Sequence, residues 1–170
     1  MNQVKKNYKD PVRRFLSSVV EARVEADRLT YRLQMLEAQA TKITSVVTGM
    51  PRGSGGDREN LLAALADMRD RCGEAIVEAE RQVERVTNFI DRLENPVSRI
   101  VLKLRYCDCL PWDSERPHQK SRTERTVLSE MRKAGLYYEI SNLYELHGKA
   151  LNEARKLYNK ENNNDERRDS

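Results

Sequence analysis

Cys107 and Cys109, one residue apart, and the nearby His118 are the residues in this chain whose types best suit a metal site. A structural zinc needs four ligands at recognisable spacing, and this set supplies three. We therefore expect no bound metal and no cofactor. With Cys72 the chain holds 3 cysteines, an odd and sparse set that favours reduced thiols in the cytoplasm over a disulfide framework.

Two further features could carry chemistry but fit ordinary structure better. The segment GMPRGSGG at 49–56 is rich in glycine, but it lacks the Gly-Lys-Ser/Thr ending and the preceding strand of a phosphate-binding loop. A run of carboxylates lies off the apolar seam of a predicted helix and is typical of a solvated face: Asp67, Asp70, Glu74, Glu78, Glu80 and Glu84. Since no nucleophile and base are paired either, we expect the protein not to be an enzyme.

A basic cluster lies between the predicted first and third helices of the C-terminal part of the chain. Between residues 116 and 133 only Glu124 and Glu130 oppose the cations. Side chains of this kind neutralise backbone phosphates of double-stranded DNA and position a protein without reading sequence. An ordinary solvated surface is the alternative. The predicted phosphate contacts are Arg116, Lys120, Arg122, Arg125, Arg132 and Lys133.

The first 95 residues read as a helical hairpin. Hydrophobic residues make up 38% of the chain and charged residues 34%, a balance that suits long exposed helices with narrow apolar seams. Asp10-Pro11 predicts a capped helix start, and the Gly- and Pro-containing stretch 45–56 predicts the reversal. An antiparallel hairpin, or coiled coil, is the simplest outcome, and pairing with a second copy is the alternative. The seams are Phe15, Val19, Ala22, Ala26, Leu29, Leu33, Leu36, Ala40 and Ile43, then Leu62, Leu65, Arg69, Cys72, Ile76, Ala79, Val83, Val86, Ile90 and Leu93.

Residues 96–158 read as a small three-helix module. Asn95-Pro96 opens its first helix, whose Ile100, Val101 and Leu104 should be buried, with Trp112 closing one edge of the core. Ser121 with Glu124 fits a capping box for the second helix, and Gly135 suits its left-handed end. The third helix should run from about Tyr137 to Tyr158, and the polar tail, 159–170, should be disordered.

This third helix has two distinct faces. Its inner stripe reads Ile140, Leu143, His147, Ala150, Ala154 and Leu157. Its outer stripe reads Tyr138, Asn142, Glu145, Lys149, Asn152 and Lys156. The succession of helix, tight Gly-containing turn and helix with a polar outer face is typical of a helix-turn-helix. We therefore predict that Tyr138, Asn142, Glu145 and Lys149 contact DNA, whereas His147 packs inward.

The runs RIVLKLRY, a Trp shortly after, and LYELHGKALNEARKLY resemble the C-terminal half of phage-encoded transcriptional regulators of the ArpU and RinA type. The stretch ITSVVTGMPRGSGGDREN and the long helix after it are similar to the N-terminal half of that group. The resemblance covers most of residues 40–155. It implies a fold similar to region four of sigma-70 factors and a regulator of phage late genes in a bacterial host cell. The segment DSERPHQKSRTERT after Trp112 departs from the family pattern as an insertion.

Three functions follow as alternatives from these patterns. The first is a DNA-binding transcriptional regulator that uses its coiled coil for homodimerisation or for contact with bacterial RNA polymerase. The second is a DNA-binding assembly subunit similar to a phage small terminase. The third is a protein-interaction adaptor in which the coiled coil binds the partner. We expect no membrane span, because no apolar run approaches 18 residues.

Overall fold

The computed structural model describes residues 10–46, 56–113 and 125–166, with side chains described for 10–41, 59–113 and 125–161. Among these residues lie five α-helices: α1 (Pro11–Val46), α2 (Gly56–Asp91), α3 (Pro96–Leu102), α4 (Val127–Lys133) and α5 (Ile140–Glu166). A π-helical segment, Lys103–Cys107, continues α3. The chain is all-α, a helical hairpin of α1 and α2 followed by a small helical module, as the sequence predicts. Across the described residues, no helix is both long and apolar enough to span a membrane.

The chain divides into two compact units, and the one formed by residues 21–82 is the distal hairpin. Here Thr30 Oγ1 lies 3.3 Å from Cys72 Sγ, and Arg69 donates to Glu37 Oε1 at 2.9 Å. The contacting positions rise along α1 as they fall along α2, so the helices run antiparallel. The ion pair also explains the one charged position in the predicted seam, because Arg69 reaches across to a carboxylate. The buried apolar residues of this unit are Ala26, Leu29, Leu65, Cys72 and Ala79.

The distal hairpin also exposes large apolar side chains. Leu62 and Ile76, predicted as seam residues, are 55% and 42% exposed. The buried apolar seam of α2 is therefore narrower than the sequence predicted. On α1, Val24, Tyr31 and Met35 are 60%, 63% and 48% exposed. Their spacing of seven and four residues places them on one helix face, opposite the buried seam.

The second compact unit contains the base of the hairpin, residues 10–20 and 83–93, together with the module. Phe15 meets Phe89 edge to face at 5.1 Å between ring centroids, and Tyr158 of α5 lies 5.8 Å from Phe15. The hairpin helices thus share an apolar cluster with α5. We call this cluster the base core: Val12, Leu16, Val19, Val86, Phe89, Ile90, Leu93, Leu102, Tyr106, Cys107, Ala150, Leu151 and Ala154.

The same unit contains a second cluster, the module core: Val101, Leu110, Val127, Leu128, Met131 and Leu143. Helix α3 lies between the two cores, because Val101 faces the module core while Leu102 faces the base core. Ile100 and Leu104 pack against the module core but stay half-buried. Trp112 also packs at its edge, as predicted.

The capping residues identified in the sequence mark the observed starts of two helices. Asp10 accepts a hydrogen bond from the backbone N–H of Val12 at 3.2 Å, and the Asn95 side chain accepts from Val97 N–H at 2.9 Å. Both caps confirm the predicted starts. The residues of the hairpin reversal between Val46 and Gly56 lie outside the described residues.

Other boundaries differ from the prediction. Helix α4 begins at Val127 rather than after Ser121, which lies with Glu124 outside the described residues. Helix α5 begins at Ile140, three residues late, and continues to Glu166. The sequence predicted a disordered tail from residue 159, whereas the structure has 159–166 as part of α5. The compact units divide α1 after Val20 and α2 before Val83, whereas the predicted domain boundary followed residue 95.

Packing of the distal hairpin can be tested at Leu29, which is 4% exposed. Leu29→Asp buries an unpaired carboxylate, so we expect it to lower the free energy of unfolding by about 3 kcal/mol or more. Gln34→Asp, on the exposed face of the same helix, is the matched control and should cost about 0.5 kcal/mol. Urea unfolding followed by circular dichroism measures both. Equal effects of the two substitutions would show that Leu29 is not packed.

Candidate nucleic-acid interface

Helix α4 is held at its start by a reciprocal cap. Thr126 Oγ1 accepts from Ser129 N–H at 3.0 Å, and Ser129 Oγ accepts from Thr126 N–H at 2.9 Å. The next two amides are also satisfied, because Val127 N–H donates to the Pro111 carbonyl at 2.8 Å and Leu128 N–H to the Trp112 carbonyl at 3.2 Å. The segment after α3 therefore anchors the start of α4 through its backbone.

The turn between α4 and α5 depends on Gly135. Its φ of +79° is the left-handed conformation that favours glycine, which confirms the sequence prediction for this residue. Leu136 N–H donates to the Met131 carbonyl at 2.9 Å and Gly135 N–H to the Arg132 carbonyl at 3.0 Å. These bonds close the end of α4. Leu136 then packs against the module core, so the chain enters α5 in a fixed direction.

The two faces of α5 separate largely as predicted. On the inner face Leu143, Ala150 and Ala154 are fully buried, and Leu151 is buried beside them. On the outer face the exposed residues are Asn142, Glu145, Lys149, Asn152 and Lys156. Tyr138 is the exception: it is half-buried and packs against the module core, so its placement on the outer stripe is corrected.

The predicted cations have different surroundings. Glu130 pairs with Lys133 at 2.7 Å and with Arg125 at 3.4 Å. The hydrogen bond from Lys133 holds the pKa of Glu130 below its usual value, and Arg125 adds to this effect. Arg132 is exposed. Three other predicted contacts lie outside the described residues: Arg116, Lys120 and Arg122.

Aromatic rings support the inner face of α5 next to this surface. The ring of Trp112 lies 4.8 Å from that of His147 and 5.4 Å from that of Tyr144, edge to face in both cases. The guanidinium of Arg105 lies over the indole ring at 5.3 Å from its centroid and donates to the Leu110 carbonyl at 2.8 Å. The sequence analysis missed Tyr144 and Arg105. Tyr144 is 52% exposed. Its sequence neighbourhood, two positions after Asn142, gives no indication that its ring contacts Trp112.

His147 is packed, as the sequence predicts. Its Nε2 lies 3.2 Å from the Tyr106 hydroxyl, and the two rings stack at 5.9 Å. Burial lowers the pKa of His147 to about 4, and the charges of Arg13 and Arg105 act in the same direction. The imidazole is therefore neutral at neutral pH, and its role is to hold α5 against the π-helical segment.

Two of the three candidate metal ligands, Cys107 and Cys109, lie in the described part of the chain. Cys107 Sγ accepts from Thr87 Oγ1 at 3.4 Å, and Cys109 adopts a left-handed φ of +56°. Within the described ranges no three His, Cys, Asp or Glu side chains are grouped to bind a metal ion. His118 lies outside those ranges.

The described site is thus a polar helix face, held from behind by two apolar cores and flanked by cations. Its exposed amide, carboxylate and ammonium groups offer donors and acceptors to an extended polar surface. Comparisons of the chain with models of protein families, with curated proteins and with solved structures find no match.

Because His147 is buried in its neutral form, the stability of the folded chain should depend on pH. The unfolded chain binds a proton at this residue below pH ~6.5, whereas the folded chain binds it only near pH 4. The unfolded state therefore holds more protons between these values, and the free energy of unfolding should fall by roughly 2 kcal/mol as the pH is lowered across this window. Urea unfolding of the wild type and of His147→Gln at pH 7, 5 and 4 measures the difference.

His147→Gln should lose less stability over the same window, because glutamine does not titrate. Asp10 does not titrate in the same pH window. Burial raises the pKa of its carboxyl group, but the hydrogen bond and charge of Arg155 lower that pKa more, so the pKa lies below 3.8. Its contribution is lost only at lower pH. An NMR titration midpoint for His147 near 6.5 would contradict its burial.

Proposed function

We propose that this protein binds double-stranded DNA through the outer face of α5 and regulates transcription of phage genes, with late-gene activation as its role. The observation that carries the proposal is the arrangement of α4, the Gly135 turn and α5. The inner face of α5 is buried, while Asn142, Glu145 and Lys149 remain exposed. A helix held in this way can enter a major groove with its polar residues against base edges.

The exposed residues suit different parts of a DNA duplex. An Asn side chain can bond an adenine through two hydrogen bonds, and a Glu can accept one from the amino group of cytosine. Asn142 and Glu145 lie in the first two turns of α5, the part of a recognition helix that contacts bases. Lys149, one turn further on, suits a backbone phosphate.

The cations of α4 support the backbone contacts. Arg132 and Lys133 are exposed in the last turn of α4, close in sequence to the start of α5. Arg125 is exposed just before the helix. Phosphate contacts from this helix would fix the register of α5 without contributing to sequence choice.

The exposed apolar face of the distal hairpin favours a second role for that part of the chain. Val24, Tyr31 and Met35 are each about half or more exposed on one face of α1, and apolar faces of this kind mark protein contacts. Within the proposal this face serves homodimerisation or contact with bacterial RNA polymerase. A ring of eight or more copies would instead favour the phage small-terminase alternative, and specific protein capture without DNA binding would favour the adaptor.

Glu130 offers a sharp test of the DNA-binding surface. Glu130→Gln removes the carboxylate that pairs with Arg125 and Lys133, so both cations become available to phosphates. We expect binding to a random duplex to strengthen roughly three- to tenfold, and the slope of log K against log salt to steepen by up to about two units. Fluorescence anisotropy across a salt series measures both quantities.

Glu78→Gln is the matched control, because Glu78 pairs with Arg81 at 2.9 Å on the distal hairpin. It changes the net charge equally and also releases an arginine, but away from the proposed surface. Its affinity should stay within about twofold of the wild type. If the two variants strengthen binding equally, net charge rather than the α4 surface attracts the DNA.

A further inference from the structure

The middle of α5, residues 149–160, and residues 92–94, which directly follow α2, form an open groove of about 430 Å³. Its lining is mixed, but cations dominate: Arg92, Lys149, Lys156 and Lys160 against Glu94 and Glu153. Leu93 and Leu157 line the groove with apolar surface. None of these cations except Lys149 was identified from the sequence as a candidate contact.

Two carboxylates at or near the groove have partners within the protein. Glu153 Oε1 accepts a hydrogen bond from Asn95 N–H at 2.9 Å. Glu161 pairs with Arg92 at 2.7 Å. By contrast, the ammonium groups of the three lysines make no ion pair with any described side chain. The groove therefore presents three exposed lysines without ion pairs to described side chains, beside Glu94 and the hydrogen-bonded Glu153.

These lysines continue the outer face of α5. Asn142, Glu145, Lys149, Asn152, Lys156 and Lys160 follow one another at intervals of three or four residues, so they share one side of the helix. The helix is continuous past Lys160, where the sequence predicted a disordered tail. At about 1.5 Å per residue, Asn142 and Lys160 lie roughly 27 Å apart along α5, which matches about eight base-pair steps of 3.4 Å.

We propose that Lys156 and Lys160, at this groove, bind backbone phosphates of the same DNA duplex beyond the bases that the start of α5 reads. This inference rests on the proposed DNA-binding function and extends its contact surface to a second site. Lysine suits the task, because its flexible stem and compact charge follow a phosphate backbone without demanding one bidentate geometry. An open groove also suits a continuous polymer better than a small enclosed ligand.

The experiment uses the full chain with Lys156→Gln and Lys160→Gln combined. Both side chains are exposed and glutamine is a good helix former, so the fold should be retained. Binding to a random 30-base-pair duplex is measured by anisotropy across a salt series. Each lost phosphate contact should reduce the slope of log K against log salt by about 0.9, so we expect a reduction of about 1.8 and weaker binding.

The matched control is Arg32→Gln with Arg71→Gln, which removes two exposed cations from the distal hairpin. It should leave the slope within about 0.3 of the wild type. Wild-type slope in the lysine variant would overturn the groove contact while the proposed function stands, and an equal reduction in the control would also overturn it. Failure of the wild type to bind duplex DNA would reject both. Competition by inorganic phosphate at millimolar concentration, with no loss of salt slope in the lysine variant, would assign the groove to a free anion instead.

Discussion

One face of α5 is buried in both apolar cores, and this burial sets the position of every other element around it. Leu143 belongs to the module core, whereas Ala150, Leu151 and Ala154 belong to the base core. Alanines at two of these positions allow α5 to approach the hairpin closely. Arg155 fixes the approach, since its Nη2 and Nε lie 2.6 and 3.0 Å from Asp10 Oδ2 at the start of α1. The rotation of α5, and hence which residues face outward, follows from these contacts.

This arrangement changes how the hairpin and the module are related. The sequence predicted a helical hairpin over the first 95 residues and a separate three-helix module over 96–158. In the structure, the base of the hairpin supplies Val12, Leu16 and Ile90 to the same core as α5. Phe15, Phe89 and Tyr158 extend that packing with mutual ring contacts. The base of the hairpin is therefore part of the body that carries the candidate DNA-binding surface.

Much of this fold could be predicted from local patterns. The caps at Asp10 and Asn95, the glycine at 135 and the inward packing of His147 each follow from neighbouring residues alone. The start of α4 did not, because the capping box predicted at Ser121 and Glu124 takes no account of the carbonyls of Pro111 and Trp112, which receive the first amides at Val127 and Leu128. That choice depends on a tertiary contact.

The C-terminal end of α5 and the side chain of Tyr138 also differ from the sequence prediction. The polar composition of 159–166 predicted disorder, but extending a helix that is already packed adds one hydrogen bond for each residue fixed, without a new nucleus. Tyr138 lies in helical register with Asn142, yet the chain before Ile140 is not helical, so its ring turns toward the module core. Lys160 was therefore assigned to the tail and not to α5, and Tyr138 was assigned to the outer face of a helix that begins only after it.

Selection from a randomised duplex pool measures whether the exposed face of α5 reads DNA sequence. Full-length protein should enrich one motif. The same selection with Asn142→Ala should lose the base preference at one position, by about 1 to 3 kcal/mol of discrimination, and keep the rest of the motif. Enrichment of no motif by the wild type, or an identical motif from the Asn142→Ala protein, would contradict the assignment of this face as the reading surface.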